Sequence, residues 1–168
     1  MRGCAALRAC TRTGFGPVLV RVGGLAGWHL KAVEADGRDA TDSPLTVGPG
    51  TELAGVRVLL TQAATKLTGA VRNDRGEAVR DAVVVVFPDE EARWTFGSRF
   101  IRTARPDTEG RYELTALPPS NGYRIVALPS VEEGQAYDAE FLSSVRDRAE
   151  RLALTEGETK AVDLRLRP

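Results

Sequence analysis

The sequence predicts an all-β fold, a β-sandwich that contains one α-helix. Residues 107–128 carry the main observation. They form a turn rich in Asp and Gly, an alternating segment with Tyr112 and Leu114 on one side, and a second alternating segment after Pro118 and Pro119. A period of two is typical of strands with one buried face. The 17 glycines and nine prolines favour many short strands joined by turns.

A continuous apolar run at 83–87 predicts a central strand that is covered on both faces. It follows an alternating segment at 67–71 and a turn at 73–76. Residues 94–103 are predicted as a less regular strand. Alternation predicts the remaining strands of this part of the chain at 111–115, 123–127, 151–154 and 161–166.

One helix is predicted at 138–151. Asp is a favoured residue at a helix N-terminus, which Asp138 occupies here, and the carboxylate of Glu140 suits the first turn. Apolar residues recur on one face of this helix: Phe141, Leu142, Val145 and Ala149. We expect this stripe to pack on the sandwich.

The first part of the chain predicts a smaller set of strands. Alternation places them at 18–22, 28–33 and 56–60, with a turn at 35–39 and a loop at 41–50.

The sequence pattern of these early strands repeats that of later strands. Residues 28–33 match 123–127 in pattern, and 56–60 match the last strand. Repeats at this scale indicate a reused module. We therefore predict three regions: a disordered leader at 1–13, a partial β-sandwich module at 14–63 and a complete sandwich domain at 64–168.

The predicted leader contains both cysteines, Cys4 and Cys10. They can pair or stay free, but they cannot cross-link the remaining chain, which has no cysteine. Arginines interrupt the apolar residues of this segment, so it lacks the continuous apolar core of a signal peptide. The sequence also lacks an apolar run long enough to span a membrane.

Charge balance argues against nucleic acid as a partner. Lys plus Arg (23) equals Asp plus Glu (23), whereas nucleic-acid-binding domains usually carry a basic excess.

Motifs in the second part of the chain resemble a known family. They are Gly69, Val71, residues 73–76, Val79, Asp81, Ala82 and Val84, followed by Asp107, residues 110–112, Leu114, residues 117–119 and residues 122–123. From Lys66 onward the chain resembles the carboxypeptidase regulatory-like domain family. The family usually has Pro at the position of Ala78 and a Pro-Pro-Gly-x-Tyr corner where this chain reads Pro-Pro-Ser-Asn-Gly-Tyr. Both departures lie at turns.

The resemblance implies a seven-stranded, prealbumin-like (transthyretin-like) β-sandwich with the helix inserted before the last two strands. It also implies a non-catalytic structural or interaction module within a larger bacterial secreted or envelope protein, extracellular or periplasmic. Its partners would be neighbouring domains of that protein or another protein. The fold is related to starch-binding-like sandwiches, so a carbohydrate-binding module with a glycan ligand is the alternative. Fold alone does not decide between the two.

Enzyme activity is not expected. The only histidine is His29, whereas a zinc peptidase needs two histidines and a glutamate, and nucleophilic catalysis needs a Ser or Cys beside a His. Paired carboxylates such as those at 89–91 are more simply explained as solvated charge than as an acid–base pair. No metal or other cofactor is expected.

The candidate ligand site is a segment in which aromatic and basic residues alternate. Exposed rings can stack on sugar faces while charged neighbours bind hydroxyl groups. The competing interpretation is that Trp94 and Phe96 cover the core beneath the helix. The predicted ligand-binding residues are Trp94, Phe96, Arg99, Phe100 and Arg102.

Overall fold

A computed structural model describes residues 16–23, 26–50 and 55–166. The chain divides into an N-terminal unit that ends at Ala63 and a C-terminal unit that begins at Ala64. The predicted leader, with Cys4 and Cys10, lies outside the described residues.

The described residues of the N-terminal unit form five short strands in two sheets. They are β1 (Gly16–Val18), β2 (His29–Ala35), β3 (Arg38–Asp39), β4 (Leu45–Val47) and β5 (Arg57–Thr61). Strand β1 pairs with β4, and β2 lies between β3 and β5. Asp36 and Gly37 both have positive φ and connect β2 to β3, as a two-residue hairpin turn requires. In the part of this unit that the structure describes, the buried apolar core is small: Val33, Ala35 and Ala40.

The predicted strand at 18–22 is wrong in its position, because β1 ends at Val18. Val18 lies opposite Leu45, the first residue of β4. The preceding residue, Pro44, has no N–H group and so cannot extend the ladder.

The C-terminal unit is a β-sandwich with one α-helix, which confirms the predicted all-β class. Its strands are β6 (Lys66–Arg72), β7 (Val83–Pro88), β8 (Arg102–Ala104), β9 (Arg111–Thr115), β10 (Ser120–Leu128), β11 (Glu150–Leu154), β12 (Thr159–Ala161) and β13 (Leu164–Arg165). One sheet has the order β11-β10-β7-β8, and in the other β6 pairs with β9, β12 and β13. Both β12 and β13 run parallel to β6, so they are two segments of one interrupted strand. The sandwich therefore has seven strands.

The main core lies between the two sheets, because alternate residues of each strand point to the same side. It joins Val84 and Val86 of β7 to Leu67 and Val71 of β6. Strand β10 supplies the largest fully buried side chain of the described residues, Tyr123. Its hydroxyl group donates a hydrogen bond to the carbonyl oxygen of Pro118 at 2.8 Å.

A second apolar layer covers the other face of the first sheet. There Val83, Val85 and Phe87 of β7 pack against Leu142 and Val145 of the helix. All six residues of β7 are therefore buried, as the continuous apolar run predicted.

Helix α1 spans Ala139–Arg146 and is shorter than predicted. Asp138 caps it as expected: its side chain accepts a hydrogen bond from the backbone N–H of Phe141 at 2.9 Å. The C-terminal limit is different because residues from Glu150 onward form β11, which pairs with β10. Edge pairing with the sheet therefore overrides the helical pattern after Arg146.

The strand pairing does not reproduce the internal repeat of the sequence. Strands β2 and β5 are antiparallel neighbours, with Val33 opposite Val58. Their supposed equivalents, β10 and the last strand, belong to different sheets and meet only at a parallel bridge between Ala127 and Leu166. The shared pattern reflects the period of a strand and not an equal place in the fold. The partial module at 14–63 stays a prediction.

Candidate functional site

The segment predicted to bind a ligand is not a strand over most of its length. A 3-10 turn at Glu91–Arg93 and a loop precede β8. Trp94 lies just after the turn and is buried, with 6% of its surface exposed. Its indole N–H donates to the carbonyl oxygen of Pro88 at 2.7 Å, and its ring meets Phe87 edge-on at 5.8 Å. Trp94 therefore covers the core, as the competing interpretation expects.

Phe100 is also buried, but on the opposite side of the sheet. It belongs to the core between the sheets, whereas Trp94 belongs to the layer beneath the helix. The Cζ atoms of Arg93 and Arg99 lie 4.2 and 5.3 Å from the centre of the Phe100 ring. The two guanidinium groups therefore make cation–π contacts with the Phe100 ring at the border of the core.

Arg102 is half-buried and forms hydrogen bonds with the loop that precedes it. Its guanidinium group donates to the carbonyl oxygens of Ile101 at 2.9 Å and Ser98 at 3.4 Å. The structure therefore separates the five predicted residues. Trp94 and Phe100 lie in two different apolar layers, and the segment does not present a continuous aromatic platform.

Phe96 is the exception, because 84% of its surface is exposed. Its ring packs against the ring of Tyr137, with the centres 5.5 Å apart at an angle of 59°. Tyr137 ends the 3-10 turn Gln135–Tyr137, which precedes the helix. Burying a large apolar ring stabilises a structure by about 1.5–3 kcal/mol, so a partner that covered the Phe96 ring would gain part of that free energy.

Beside this aromatic pair lies a cleft of about 310 Å³. One wall comes from the end of the first sheet and the other from the loop before the helix. We call it the edge cleft, and it is lined by Val83, Thr103, Ala104, Arg105, Val131, Glu132, Glu133, Gly134, Ala136 and Tyr137. Its walls combine apolar side chains with two carboxylates and one guanidinium group, the mixture common in binding sites.

Sequence reasoning predicted only Phe96 of this surface. Tyr137 and the loop residues of the edge cleft come from a part of the chain distant in sequence from Phe96. Their sequence signals are those of an ordinary polar loop. Only the packing of the helix and its preceding turn on the first sheet brings them together.

The carboxylates at 89–91 form ion pairs with arginines. Asp89 accepts a hydrogen bond from the Nε of Arg124 at 2.6 Å, and Glu91 lies 2.6 Å from the guanidinium group of Arg146. The hydrogen bond from Arg124, together with the charges of nearby arginines, lowers the pKa of Asp89. Arg124 is buried and also donates to the carbonyl oxygen of Arg146 at the end of the helix. This network attaches the helix to the sheet.

The remaining chemical candidates are weak. His29 lies at the start of β2 and is half-buried. Among residues 16–23, 26–50 and 55–166, no three His, Cys, Asp or Glu side chains lie together as metal ligands would. Over the same ranges, no helix has the length and apolar character needed to cross a bilayer.

Comparisons with known proteins give only distant similarities. No family model and no curated protein matches the chain. Solved structures similar to it include the TIE protein of Bacillus anthracis, with 15% identity over 82% of this chain and a TM-score of 0.39; the chain spans 23% of that protein. The dioxygenase domain of a dioxygenase and carbohydrate-binding protein fusion from Streptomyces shows 11% identity over 61% of this chain and 79% of its own, with a TM-score of 0.36. A minor pilin of Streptococcus agalactiae shows 13% identity over 73% of this chain and 57% of its own, with a TM-score of 0.35. Such low values carry no argument about function.

Proposed function

We propose that this protein is a non-catalytic interaction module, a carboxypeptidase regulatory-like β-sandwich within a larger bacterial secreted or envelope protein. The observation that supports the proposal is the exposed Phe96 ring, which is held against Tyr137 beside the edge cleft. Aromatic residues are enriched where proteins bind one another, because they bury much apolar area at a small cost in conformational freedom. The sequence motifs from Lys66 onward support the family and the location.

Carbohydrate binding is the weaker candidate. It needs exposed rings arranged side by side, and the burial of Trp94 and Phe100 leaves Phe96 as the exposed ring of the predicted five-residue set. A second exposed aromatic residue, Trp28, belongs to the N-terminal unit and supplies a matched control for the test below.

The test compares three forms of the full chain as bait: the wild type, Phe96→Ser and Trp28→Ser. Each is mixed with culture medium and an envelope extract of the organism that encodes the chain, and bound proteins are quantified by mass spectrometry. We expect the wild type and Trp28→Ser to retain a common partner that Phe96→Ser retains at least tenfold less. Equal retention by all three forms, or no retained protein, would contradict the proposal.

A further inference from the structure

Strand β8 forms one edge of the first sheet. It pairs with β7 on one side, with Thr103 opposite Val85. No strand among the described residues pairs with its other side. Main-chain N–H and C=O groups on such an edge lack sheet partners and can pair with an added strand.

The edge cleft gives access to this backbone. Thr103, Ala104 and Arg105 all line it, although the side chains of consecutive strand residues point to opposite faces of a sheet. A cleft that contacts all three residues therefore reaches the backbone of β8. Val83 of the neighbouring β7 also lines it, which places the cleft over the helix-covered face of the sheet at its edge strand. Its far wall contains Val131 and Tyr137.

The charges at the cleft favour a basic partner. Glu132 and Glu133 are exposed, and neither forms an ion pair with another described residue. Arg105 at the strand end likewise has no ion pair within the described ranges. Two carboxylates and one guanidinium group leave a net charge of −1 at the cleft.

We infer that the edge cleft binds an extended peptide of a partner protein, which adds as a strand to β8 and places a basic side chain beside Glu132 and Glu133. This inference rests on the proposed function and specifies what the partner presents: an extended segment with a basic side chain. In strand addition, main-chain hydrogen bonds supply affinity and alternate side chains supply specificity. Here the apolar wall and the Phe96–Tyr137 pair accept side chains on one face of the added strand, and the carboxylates select a basic residue.

The probe is a phage-displayed library of random decapeptides, selected on the immobilised full chain. We expect enriched peptides to alternate apolar residues with Lys or Arg. A synthetic peptide from the selection should slow hydrogen exchange at those amides within residues 102–105 that do not already pair with β7. The double variant Glu132→Gln, Glu133→Gln should weaken its binding about fivefold to tenfold, the effect of losing exposed ion pairs. Glu140→Gln, an exposed change on the helix outside the cleft, should leave the affinity unchanged.

Backbone methylation of the same peptide tests strand addition directly. An N-methyl group removes one amide donor, so methylation at every second position should abolish binding in one register and spare it in the other. Slowed exchange elsewhere than 102–105, or equal tolerance of methylation at all positions, would overturn strand addition. Neither result would touch the proposed function, which the Phe96→Ser comparison tests separately. Slowed exchange at 102–105 that grows with protein concentration in the absence of peptide would assign the edge to a second copy and would also overturn the inference.

Discussion

The hydroxyl group of Tyr112 donates a 2.6 Å hydrogen bond to the carbonyl oxygen of Val162. This bond joins β9 to the point where the last strand is interrupted between β12 and β13. At the same point Gly69 of β6 leaves no room for a side chain, since a Cβ atom there would lie 1.8 Å from the Val162 oxygen. The carboxylate of Asp163 accepts the backbone N–H of Ala70 at 2.8 Å in place of a main-chain acceptor. At the interruption, the tyrosine and the aspartate therefore form hydrogen bonds with the backbone, and the glycine leaves room for the Val162 carbonyl group.

Replacing Tyr112 with Phe should lower the free energy of unfolding by about 0.5–1.5 kcal/mol, because the partly buried Val162 carbonyl group loses its side-chain donor. Urea unfolding of both forms measures the change. Tyr137→Phe is the matched control, since Tyr137 is half-buried and its hydroxyl group forms no hydrogen bond with another described residue. Equal loss in the two variants would show that the Tyr112 bond contributes nothing specific.

The same tyrosine should make stability depend on alkaline pH. Burial, and then the negative charges of Asp163 and Glu150, raise the pKa of Tyr112 above its ordinary value of 10.0. An unfolded chain ionises its tyrosine first, so this contribution is fully present below about pH 10 and is lost as the pH rises toward the folded pKa. The stability difference between wild type and Tyr112→Phe should therefore narrow by up to about 1.4 kcal/mol per pH unit above about pH 10. A difference that stays constant in urea unfolding over that range would contradict the prediction.

Replacing Asp89 with Asn should lower the free energy of unfolding by about 1.5–3 kcal/mol at neutral pH, because the buried Arg124 loses a charged acceptor. The pKa of Asp89 is lowered in the folded state, so its contribution is present above the unfolded pKa of about 3.9 and is lost as the pH falls through the folded value. Wild type and variant should converge in acid. Asp81→Asn, at an exposed ion pair with Arg80, should change stability little. An equal effect of both substitutions at neutral pH would count against a network that attaches the helix.

The loss of unfolding free energy caused by substitutions in the helix should follow the burial of the replaced side chain and not its size. Leu142 is fully buried, so Leu142→Ala should cost about 2–5 kcal/mol. Phe141 is half-buried, so Phe141→Ala should cost less than the roughly 3–5 kcal/mol expected of a fully buried Phe. The exposed Ser143 provides a control substitution to Ala in the same helix. A larger loss of stability for Phe141→Ala than for Leu142→Ala would be incompatible with this packing.

The N-terminal unit should be less stable than the C-terminal one. Among its described residues, the buried apolar core contains three residues, of which two are alanines, and small cores bury too little area for high stability. In hydrogen exchange on the intact chain, amides in β2 should therefore exchange faster than amides in β7 and β10. Equal protection of these strands in a monomer would show that residues 14–63 form a complete module and not a partial one.

The fold was largely predictable because its signals are local. Alternation at 111–115 indicates a strand with one buried face, and the apolar run at 83–87 indicates a strand with two. Asp138 indicates the start of the helix. The end of the helix was not predictable. The last residues of the predicted helix, Glu150 and Arg151, instead belong to β11, which pairs with the distant strand β10. The place of β1 was not predictable either, since its limit depends on Pro44, which immediately precedes the partner strand β4 and lies far from β1 in the sequence.

Only one residue of the candidate site could be predicted. Phe96 stands in a segment of alternating aromatic and basic residues, but the same pattern includes Trp94 and Phe100, which the fold buries in two separate layers. Exposure of a ring depends on what packs above it, and neighbouring residues in the sequence do not report that. The loop 131–137, which completes the surface, carries no aromatic or charge pattern that links it to Phe96.

The sequence by itself determined the strand class, the covered central strand, the capped helix and the turns, because hydrophobic period, turn chemistry and capping act between residues close in the chain. The tertiary structure alone decided which ring is exposed, which edge is open and which carboxylates pair with arginines. Each of these depends on contacts between distant segments: Phe96 with Tyr137, β8 with the loop before the helix, and Asp89 with Arg124. The first two contacts form when the helix and its preceding loop pack on the sheet, whereas the pairing of β7 with β10 brings Asp89 to Arg124.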